Sequence, residues 1–292
     1  MTNQKLKLWT GIGVATLLAS SGAMADEHKD RQHDDGMTSG SHGGEGGEGG
    51  ENHGEAGAAF SYFAAGGEGG EGGEAGGAVS AADSDGAYVA MLQMMQGHLM
   101  AARELIKSGK AADGRPHLTH PWVEIYPMAE AGLESRGQKE LGNHLKALAE
   151  NAGQVENWGD VSQEFQAAWM AIQKAEKSVE GRSAASVSKV VLSLTKQAVL
   201  EYDGALENGR FVAEHEYQDG RGFVRSAREY LNNHQVVLKK RNKEAWRDAG
   251  KALDEMLKAW PTAVPPEQPV IPVANLYAAQ ARLELALAPY LY

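Results

Sequence analysis

The sequence of 292 residues predicts an all-α protein: an antiparallel helical bundle of about seven helices, preceded by a disordered Gly/Glu-rich tail. Three observations lead to this prediction. Hydrophobic residues after Tyr88 recur with a period close to that of an α-helix, no alternating run bounded by turn signals indicates a sheet, and Gly and Glu dominate the residues before Tyr88. About 205 residues remain for the helices, enough to bury a sizeable core.

The first 25 residues have the pattern of a signal peptide. Lys5 and Lys7 form a basic start, residues 8–19 are a short apolar stretch, and 23–25 read Ala-Met-Ala, a small-x-small cleavage pattern. The apolar stretch is too short to span a bilayer, and no later segment offers the roughly 20 apolar residues that a span needs. We therefore expect cleavage after Ala25 and a mature chain exported to a bacterial periplasm without a membrane span; an uncleaved anchor is the alternative.

Residues 26–87 form an acidic, low-complexity tail with 19 Gly, 14 Asp or Glu and only two basic residues, Lys29 and Arg31. Gly-Gly-Glu repeats run through 43–51 and 66–74. Ordering glycine costs the most backbone entropy, and little apolar area is present to offset it, so the tail should be disordered. Residues 88–292 carry 25 acidic and 24 basic residues and form the helical domain, in which a further division near 181 stays open.

Two features of the tail suggest a role beyond that of a spacer. His28, His33, His42 and His53 lie among carboxylates, a mixture that suits loose binding of divalent metals. The aromatic cluster at 60–63, Phe-Ser-Tyr-Phe, suits docking to a protein partner in the cell envelope. A solubilising, self-repelling spacer is the alternative interpretation of both.

The helical stripes follow one another along the chain, with apolar residues three or four positions apart. They occupy 91–105, 141–148, 161–179, 187–212, 223–256 and 276–287. Breaks are expected where Gly or Pro interrupts the pattern. These positions are 114–116, 137, 153–159, 181–182, 220–222 and the proline-rich 261–272.

Several chemistries are excluded or poorly supported. The chain has no cysteine, which rules out disulfides, Cys-based zinc sites, iron–sulfur ligation by thiolates, covalent c-type haem and a catalytic thiol. It has no nucleophile elbow, phosphate loop or dinucleotide fingerprint, so an enzyme is the least favoured function. The short basic run at 239–243 has acidic neighbours, which indicates a solvated helix face and not binding to nucleic acid.

The first candidate site is the element His-x-x-His-Pro-x-x-Glu-x-Tyr at 117–126. Pro121 suits the first turn of a helix and disfavours helical geometry at His120, so we expect His120 at or just before a helix cap. His117 would lie in the preceding turn and Glu124 in the first helical turn. Two imidazoles and a carboxylate would then converge, a ligand set that suits zinc, copper or iron. Local capping is the alternative.

The second candidate site lies in the segment 187–219. If this segment is one helix, Glu201, His215 and Asp219 fall on its apolar stripe, and His215 and Asp219 are neighbours four residues apart. A buried glutamate needs a hydrogen-bond partner, a positive charge or a metal ion. An ion-pair network with nearby arginines is the alternative, and a helix break at Gly204 or Gly209 would undo the alignment.

Two further histidines, His98 and His234, lie on apolar stripes of other helices and should face inward. Together with His215 and Glu201 they suggest a shared polar centre inside the bundle, where such proteins often build metal sites. His144, at the edge of its stripe, is a further candidate. Core histidines with separate local hydrogen bonds are the alternative.

The element at 117–126 and the Gly/Glu tail together resemble a group of exported proteobacterial helical proteins of unassigned role, a resemblance that covers most of the mature chain. A weaker similarity is to the imelysin-type periplasmic helical proteins of iron uptake. Their Gly-x-His-x-x-Glu motif is not reproduced, because residue 123 is Val and Glu124 follows His120 by four residues.

The leading hypothesis from the sequence is a periplasmic protein that binds a divalent transition metal, iron, copper or zinc. The metal would be held by His117, His120 and Glu124, with His98, Glu201, His215, Asp219 and His234 as further candidate ligands. The alternative is a metal-free interaction or scaffold protein of the cell envelope that docks through its tail.

Overall fold

The computed structural model describes residues 81–82 and 84–292. The predicted signal peptide, the four tail histidines and the aromatic cluster at 60–63 lie outside these residues. Within them the chain forms ten α-helices and one small hairpin, which confirms the predicted all-α bundle. None of the helices in this part of the chain combines the length and apolarity needed to cross a membrane.

The N-terminal half of the described chain contains five α-helices. They are α1 (Asp85–Lys107), α2 (Ala111–His120), α3 (Tyr126–Ser135), α4 (Glu140–Asn151) and α5 (Ser162–Lys177). A π-helical turn, Pro121–Ile125, joins α2 to α3, and 3-10 turns at Ala152–Gln154 and Trp158–Asp160 join α4 to α5. The C-terminal half contains α6 (Ala184–Gly204), α7 (Glu214–Asn233), α8 (Gln235–Arg241), α9 (Lys243–Leu257) and α10 (Val273–Leu291).

Four of the C-terminal helices pack as a bundle: α6 against α7 and α10, and α9 against α7 and α10. The hairpin β1 (Leu206–Glu207) and β2 (Arg210–Phe211) joins α6 to α7. Asn208 and Gly209 form its turn with positive φ, as two-residue hairpins require. This short connection makes α6 and α7 antiparallel neighbours.

Helix α1 is the central element of the domain. Every residue from Ala87 to Ala102 is buried, because α2, α5, α6 and α7 all pack around this helix. A helix buried on all sides is normally apolar throughout. Buried polar residues on α1 such as Gln93 and His98 therefore need partners on the surrounding helices.

The breaks predicted at 114–116 and 220–222 are wrong, because both segments lie inside helices. Their glycines serve close packing. A Cβ at Gly114 would lie 2.7 Å from Cγ1 of Ile106 on α1, and a Cβ at Gly222 would overlap the backbone carbonyl of Gly97. The predicted breaks at Gly137, 153–159, 181–182 and 261–272 are confirmed.

The single helix considered for 187–219 is also wrong, because α6 ends at Gly204 and the chain reverses through the hairpin. The stripe predicted over 223–256 is likewise divided among α7, α8 and α9, with short interruptions at His234 and Asn242. The Asn242 side chain accepts hydrogen bonds from the backbone N–H groups of Glu244 and Ala245, which starts α9.

A charged network fastens α1 to α7. Nε and Nη2 of Arg221 donate to the two carboxylate oxygens of Glu104 at 3.0 and 2.8 Å, and Arg225 also donates to Glu104. Burial opposes ionisation of Glu104, but hydrogen bonds and attraction from Arg221, with a further contribution from Arg225, lower its pKa. The folded state therefore favours the carboxylate form of Glu104.

We expect Glu104→Gln to lower the free energy of unfolding by about 1 kcal/mol at pH 7, because the network is partly exposed. The lowered pKa of Glu104 means that its contribution is present above the unfolded pKa of about 4.3 and is lost as pH falls through the folded value. Urea denaturation should therefore show the two proteins converging at low pH. Glu150→Gln, at an exposed glutamate, is the control and should change stability by less than about 0.5 kcal/mol.

Candidate metal centre

The histidine element forms a continuous helical run, not the start of a helix. His120 has φ −54° and ψ −42°, so the cap predicted at His120 is wrong. Pro121 has no N–H to donate, and the wider π-helical turn that begins there accommodates the proline without ending the helix. His117, His120 and Glu124 consequently follow one another at spacings of three and four residues, which places them on one face.

This face meets α1 and α7 around the carboxylate of Asp219. Oδ1 of Asp219 accepts hydrogen bonds from Nδ1 of His98 at 2.6 Å and from Nδ1 of His117 at 2.8 Å. Oδ2 of Asp219 lies 3.3 Å from Nδ1 of His120. Three imidazoles from two helical segments are thus gathered at one carboxylate from a third.

The four residues offer ligand atoms that all lie within 4.8 Å of one another. Their rings are close but do not overlap: the ring centre of His120 lies 5.2 Å from those of both His98 and His117. The donor set of three imidazoles and a carboxylate is typical of sites for zinc, copper and iron.

Glu124 closes the open side of the cluster. Its Oε1 lies 3.7 Å from Nε2 of His120, and its Oε2 lies 4.0 Å from Nε2 of His98. Burial, together with the negative charges of Asp219 and Glu216, raises the pKa of Glu124 to about 7, although His120 and His117 oppose the shift. A second carboxylate at the site therefore lies in surroundings that favour binding of a positive charge.

The charges of the inner cluster are strongly coupled. Burial alone would raise the pKa of Asp219, but His98, His117 and His120 hold it well below its usual range. Burial alone would lower the pKa of His117, but Asp219 and a 2.7 Å contact between Nε2 of His117 and Oε1 of Gln218 raise it. The metal-free protein thus favours a buried carboxylate–imidazolium pair.

His215 borders the cluster, and Glu201 lies close enough for the charges of the cluster to affect it. The His215 ring centre is 5.8 Å from that of His117 and 6.2 Å from that of His120. Burial is the main cause that lowers the pKa of His215, and repulsion from the His117 and His120 imidazoles lowers it further. Oε1 of Glu201 accepts a hydrogen bond from Gln197 at 2.7 Å. Burial and the charges of Asp219, Glu216 and Glu124 raise the pKa of Glu201 to about 8.

The remaining two histidines do not join the cluster. His234, expected to face the shared centre, caps the end of α7, where its Nδ1 donates to the carbonyl of Tyr230 at 3.0 Å and its Nε2 faces Arg182. His144 is partly exposed on α4. The structure therefore brings together residues from four helical segments, α1, α2 with its π-helical turn, α6 and α7. The residues are His98, His117, His120, Glu124 and Asp219, with His215 at their border and Glu201 within reach of their charges.

Sequence reasoning missed two parts of the site. Gln218 is buried and contacts His117, and its position beside Asp219 on α7 was the only available signal. Gly97 and Gly222 let α1 and α7 approach closely next to His98 and Asp219. In a sequence, glycines such as Gly97 and Gly222 are compatible with a close crossing of two helices. Glycine is equally typical of a point where a helix ends, so this signal was ambiguous.

Comparison with family models gives a match to part of the chain. The family model of the iron permease-associated 4-helix bundle domain matches residues 177–288, well under half of the chain. This range spans the four-helix arrangement of α6, α7, α9 and α10 and supplies Asp219, Gln218, Glu201 and His215 to the site. His98, His117, His120 and Glu124 come from outside it. No curated protein and no solved structure matches the chain significantly.

The match supports the predicted relation to helical proteins of iron uptake. It begins close to the turn at Gly181, where the sequence left a domain division open, and that division stays a prediction. The finer resemblance, to exported proteobacterial proteins with a Gly/Glu tail, also stays a prediction.

Proposed function

We propose that this protein binds iron as cargo at the site centred on His98, His117, His120 and Asp219, and that it serves iron uptake outside the cytoplasm. The observation that carries the proposal is the convergence of these four residues, with ligand atoms within 4.8 Å of one another. A structural core polar group needs one or two hydrogen-bond partners. Three imidazoles and two carboxylates in one place exceed that need and match a metal site.

Iron is favoured over copper and zinc by one observation, the family match. Imidazole with carboxylate suits all three metals, so the ligand chemistry alone does not choose. The similarity of residues 177–288 to the iron permease-associated domain supports iron. The predicted signal peptide supports a periplasmic location, where such a protein would meet incoming metal.

The experiment is metal analysis of the protein purified from its native compartment and of the metal-free protein titrated with Fe(II) under anaerobic conditions. We expect close to one tightly bound iron per chain. The double variant His98→Ala/His120→Ala should lose at least 100-fold in affinity, since two ligand positions vanish.

His144→Ala is the matched control, because it removes a histidine that lies outside the cluster. It should bind iron as the unaltered protein does. Iron content that is unchanged in the double variant, or that falls equally in His144→Ala, would contradict the proposed site. Removal of residues 26–80, which precede α1 and its cap, should leave this binding intact, since the cluster belongs entirely to the helical domain.

A further inference from the structure

His98 and His120 each stand between two carboxylates. Nδ1 of His98 lies 2.6 Å from Asp219, and Nε2 of the same ring lies 4.0 Å from Glu124. Nδ1 of His120 lies 3.3 Å from Asp219, and its Nε2 lies 3.7 Å from Glu124. Each imidazole therefore lies between Asp219 and Glu124, and the difference between the two separations is large at His98 and small at His120.

At His98 the distances separate a hydrogen-bonding side from a metal-binding side, whereas Nδ1 of His120, 3.3 Å from Asp219, has no hydrogen-bond partner in the described part of the chain. Transition-metal bonds to imidazole nitrogen and carboxylate oxygen are about 2.0–2.2 Å long, so two ligand atoms on one ion lie roughly 3–4 Å apart. The 2.6 Å separation of His98 Nδ1 from Asp219 leaves no room for an ion and is a direct hydrogen bond. The separations of 3.7 and 4.0 Å at Glu124 are too long for hydrogen bonds and fit ligands of a common ion.

The hydrogen bonds to Asp219 also determine which nitrogen of His98 is free. A carboxylate only accepts, so Nδ1 of His98 carries the hydrogen and Nε2 of the neutral ring carries a lone pair. That Nε2 atom is buried and has no hydrogen-bond partner among residues 81–82 and 84–292. A histidine whose Nδ1–H is held by a carboxylate while its Nε2 lone pair is unused has the arrangement of a metal ligand in a carboxylate–histidine–metal triad.

His117 differs from the other two imidazoles. Its Nδ1 contacts Asp219 Oδ1 at 2.8 Å and its Nε2 contacts Gln218 Oε1 at 2.7 Å. Both ring nitrogens of His117 are therefore occupied by close hydrogen-bonding contacts, and neither faces a position that an ion could take. His117 therefore holds Asp219 and Gln218 in place and positions the site without binding the metal.

The geometry points to a three-ligand Fe(II) centre formed by Nε2 of His98, Nε2 of His120 and the carboxylate of Glu124, with Asp219 and His117 as positioning residues. This inference rests on the proposed function and specifies its ligands. Two imidazoles and one carboxylate leave coordination positions of the iron open. Glu124 and His120 are 24% and 15% exposed, whereas the side chain of His117 is fully buried, so the iron lies on the solvent side of Asp219.

Open positions on the solvent side suit a cargo ion that is loaded and released. They also allow a small external ligand to bind the iron directly. Nitric oxide is a suitable probe, because it binds Fe(II) only where a coordination position is free or exchangeable and gives a paramagnetic complex that electron paramagnetic resonance detects.

The test uses the full mature chain loaded anaerobically with Fe(II), and the variants Glu124→Gln, His117→Gln and Asp219→Asn. We expect the nitric oxide signal in the unaltered protein, a loss of at least 100-fold in Fe(II) affinity in Glu124→Gln, and a change of less than about 10-fold in His117→Gln. Asp219→Asn should weaken binding by about 10- to 100-fold, as is usual when a residue that orients a ligand is changed.

Glu130→Gln, at an exposed glutamate on α3, is the control for Glu124→Gln and should bind iron normally. The inference is overturned if His117→Gln abolishes binding while Glu124→Gln leaves it unchanged, or if bound iron gives no nitric oxide complex. The proposed function fails differently, by the absence of iron from the unaltered protein. Circular dichroism of each variant verifies that the helical fold is retained.

Discussion

Replacing Gly222 with alanine is expected to lower the free energy of unfolding by about 2 kcal/mol, although the substitution favours an isolated helix. Alanine in a helix interior gains nearly 1 kcal/mol over glycine. Here the new Cβ would overlap the carbonyl oxygen and carbon of Gly97, which are backbone atoms and cannot rotate away. Helices α1 and α7 must separate, and the loss of packing along a fully buried helix outweighs the propensity gain.

The same substitution should weaken iron binding. His98 follows Gly97 on α1 and Asp219 lies one turn before Gly222 on α7, so separating the helices lengthens the 2.6 Å contact between these side chains. Thermal or urea denaturation measures the first effect and Fe(II) titration the second.

Gly250→Ala is the matched control for Gly222→Ala. Gly250 is also a buried helical glycine, but its Cβ would meet only the Arg228 side chain, at an ordinary 3.6 Å. We expect Gly250→Ala to leave stability unchanged or to raise it by up to about 1 kcal/mol. Equal stability changes in the two variants would show that the helix crossing is not tightly packed.

The sequence could predict which faces of the helices point inward, because helical periodicity depends only on spacing. It placed His98 on the apolar stripe of what is now α1, and it grouped His117, His120 and Glu124 by their neighbouring positions. It could not predict how the helices are aligned along their axes, and therefore which inward-facing side chains of neighbouring helices lie at the same level. His98 and Asp219 lie at the same level because α1 and α7 cross at Gly97 and Gly222. The sequence analysis interpreted the glycines at 220–222 as a helix break.

The position of helix ends limited the prediction in a second way. An apolar stripe that continues across a short interruption has the same pattern as one long helix, so the end of α7 at Asn233 was not predicted and His234 was expected to face the centre. In the segment 187–219 the opposite occurred. The predicted single helix is absent, yet the reversal at the hairpin makes α6 and α7 antiparallel neighbours, and tertiary packing brings Glu201 close enough for the charge of Asp219 to affect it.

Removing the carboxylate at the centre of the cluster should have the largest effect on stability. We expect Asp219→Ala to lower the free energy of unfolding of the metal-free protein by about 3–5 kcal/mol near pH 6, the usual cost of leaving one partner of a buried ion pair alone. His117 is fully buried, and Asp219 is the main group that raises its pKa. Without Asp219, burial lowers the pKa of His117 instead, and the ring must lose its proton on folding.

The sign of the pH dependence follows from these two pKa shifts. In the unaltered protein the raised pKa of His117 contributes stability below its unfolded value of about 6.5, and this contribution is lost as pH rises through the folded pKa. The lowered pKa of Asp219 contributes stability above its unfolded value of about 3.9. The cost of Asp219→Ala should therefore be larger at pH 6 than at pH 8, where His117 is neutral in the unfolded chain.

A double-mutant cycle with His117→Ala separates the lost charge balance from the lost packing. If burying His117 without its carboxylate partner causes most of the cost, Asp219→Ala/His117→Ala should be less destabilised than the sum of its single variants by about 2 kcal/mol or more, because no imidazole remains that must lose its proton on folding. Additive costs with no pH dependence between pH 6 and 8 would instead mean that Asp219 acts by filling space. The coupling is expected because Oδ1 of Asp219 accepts from both His98 and His117, so the carboxylate joins α1 and α2 to α7 through charge.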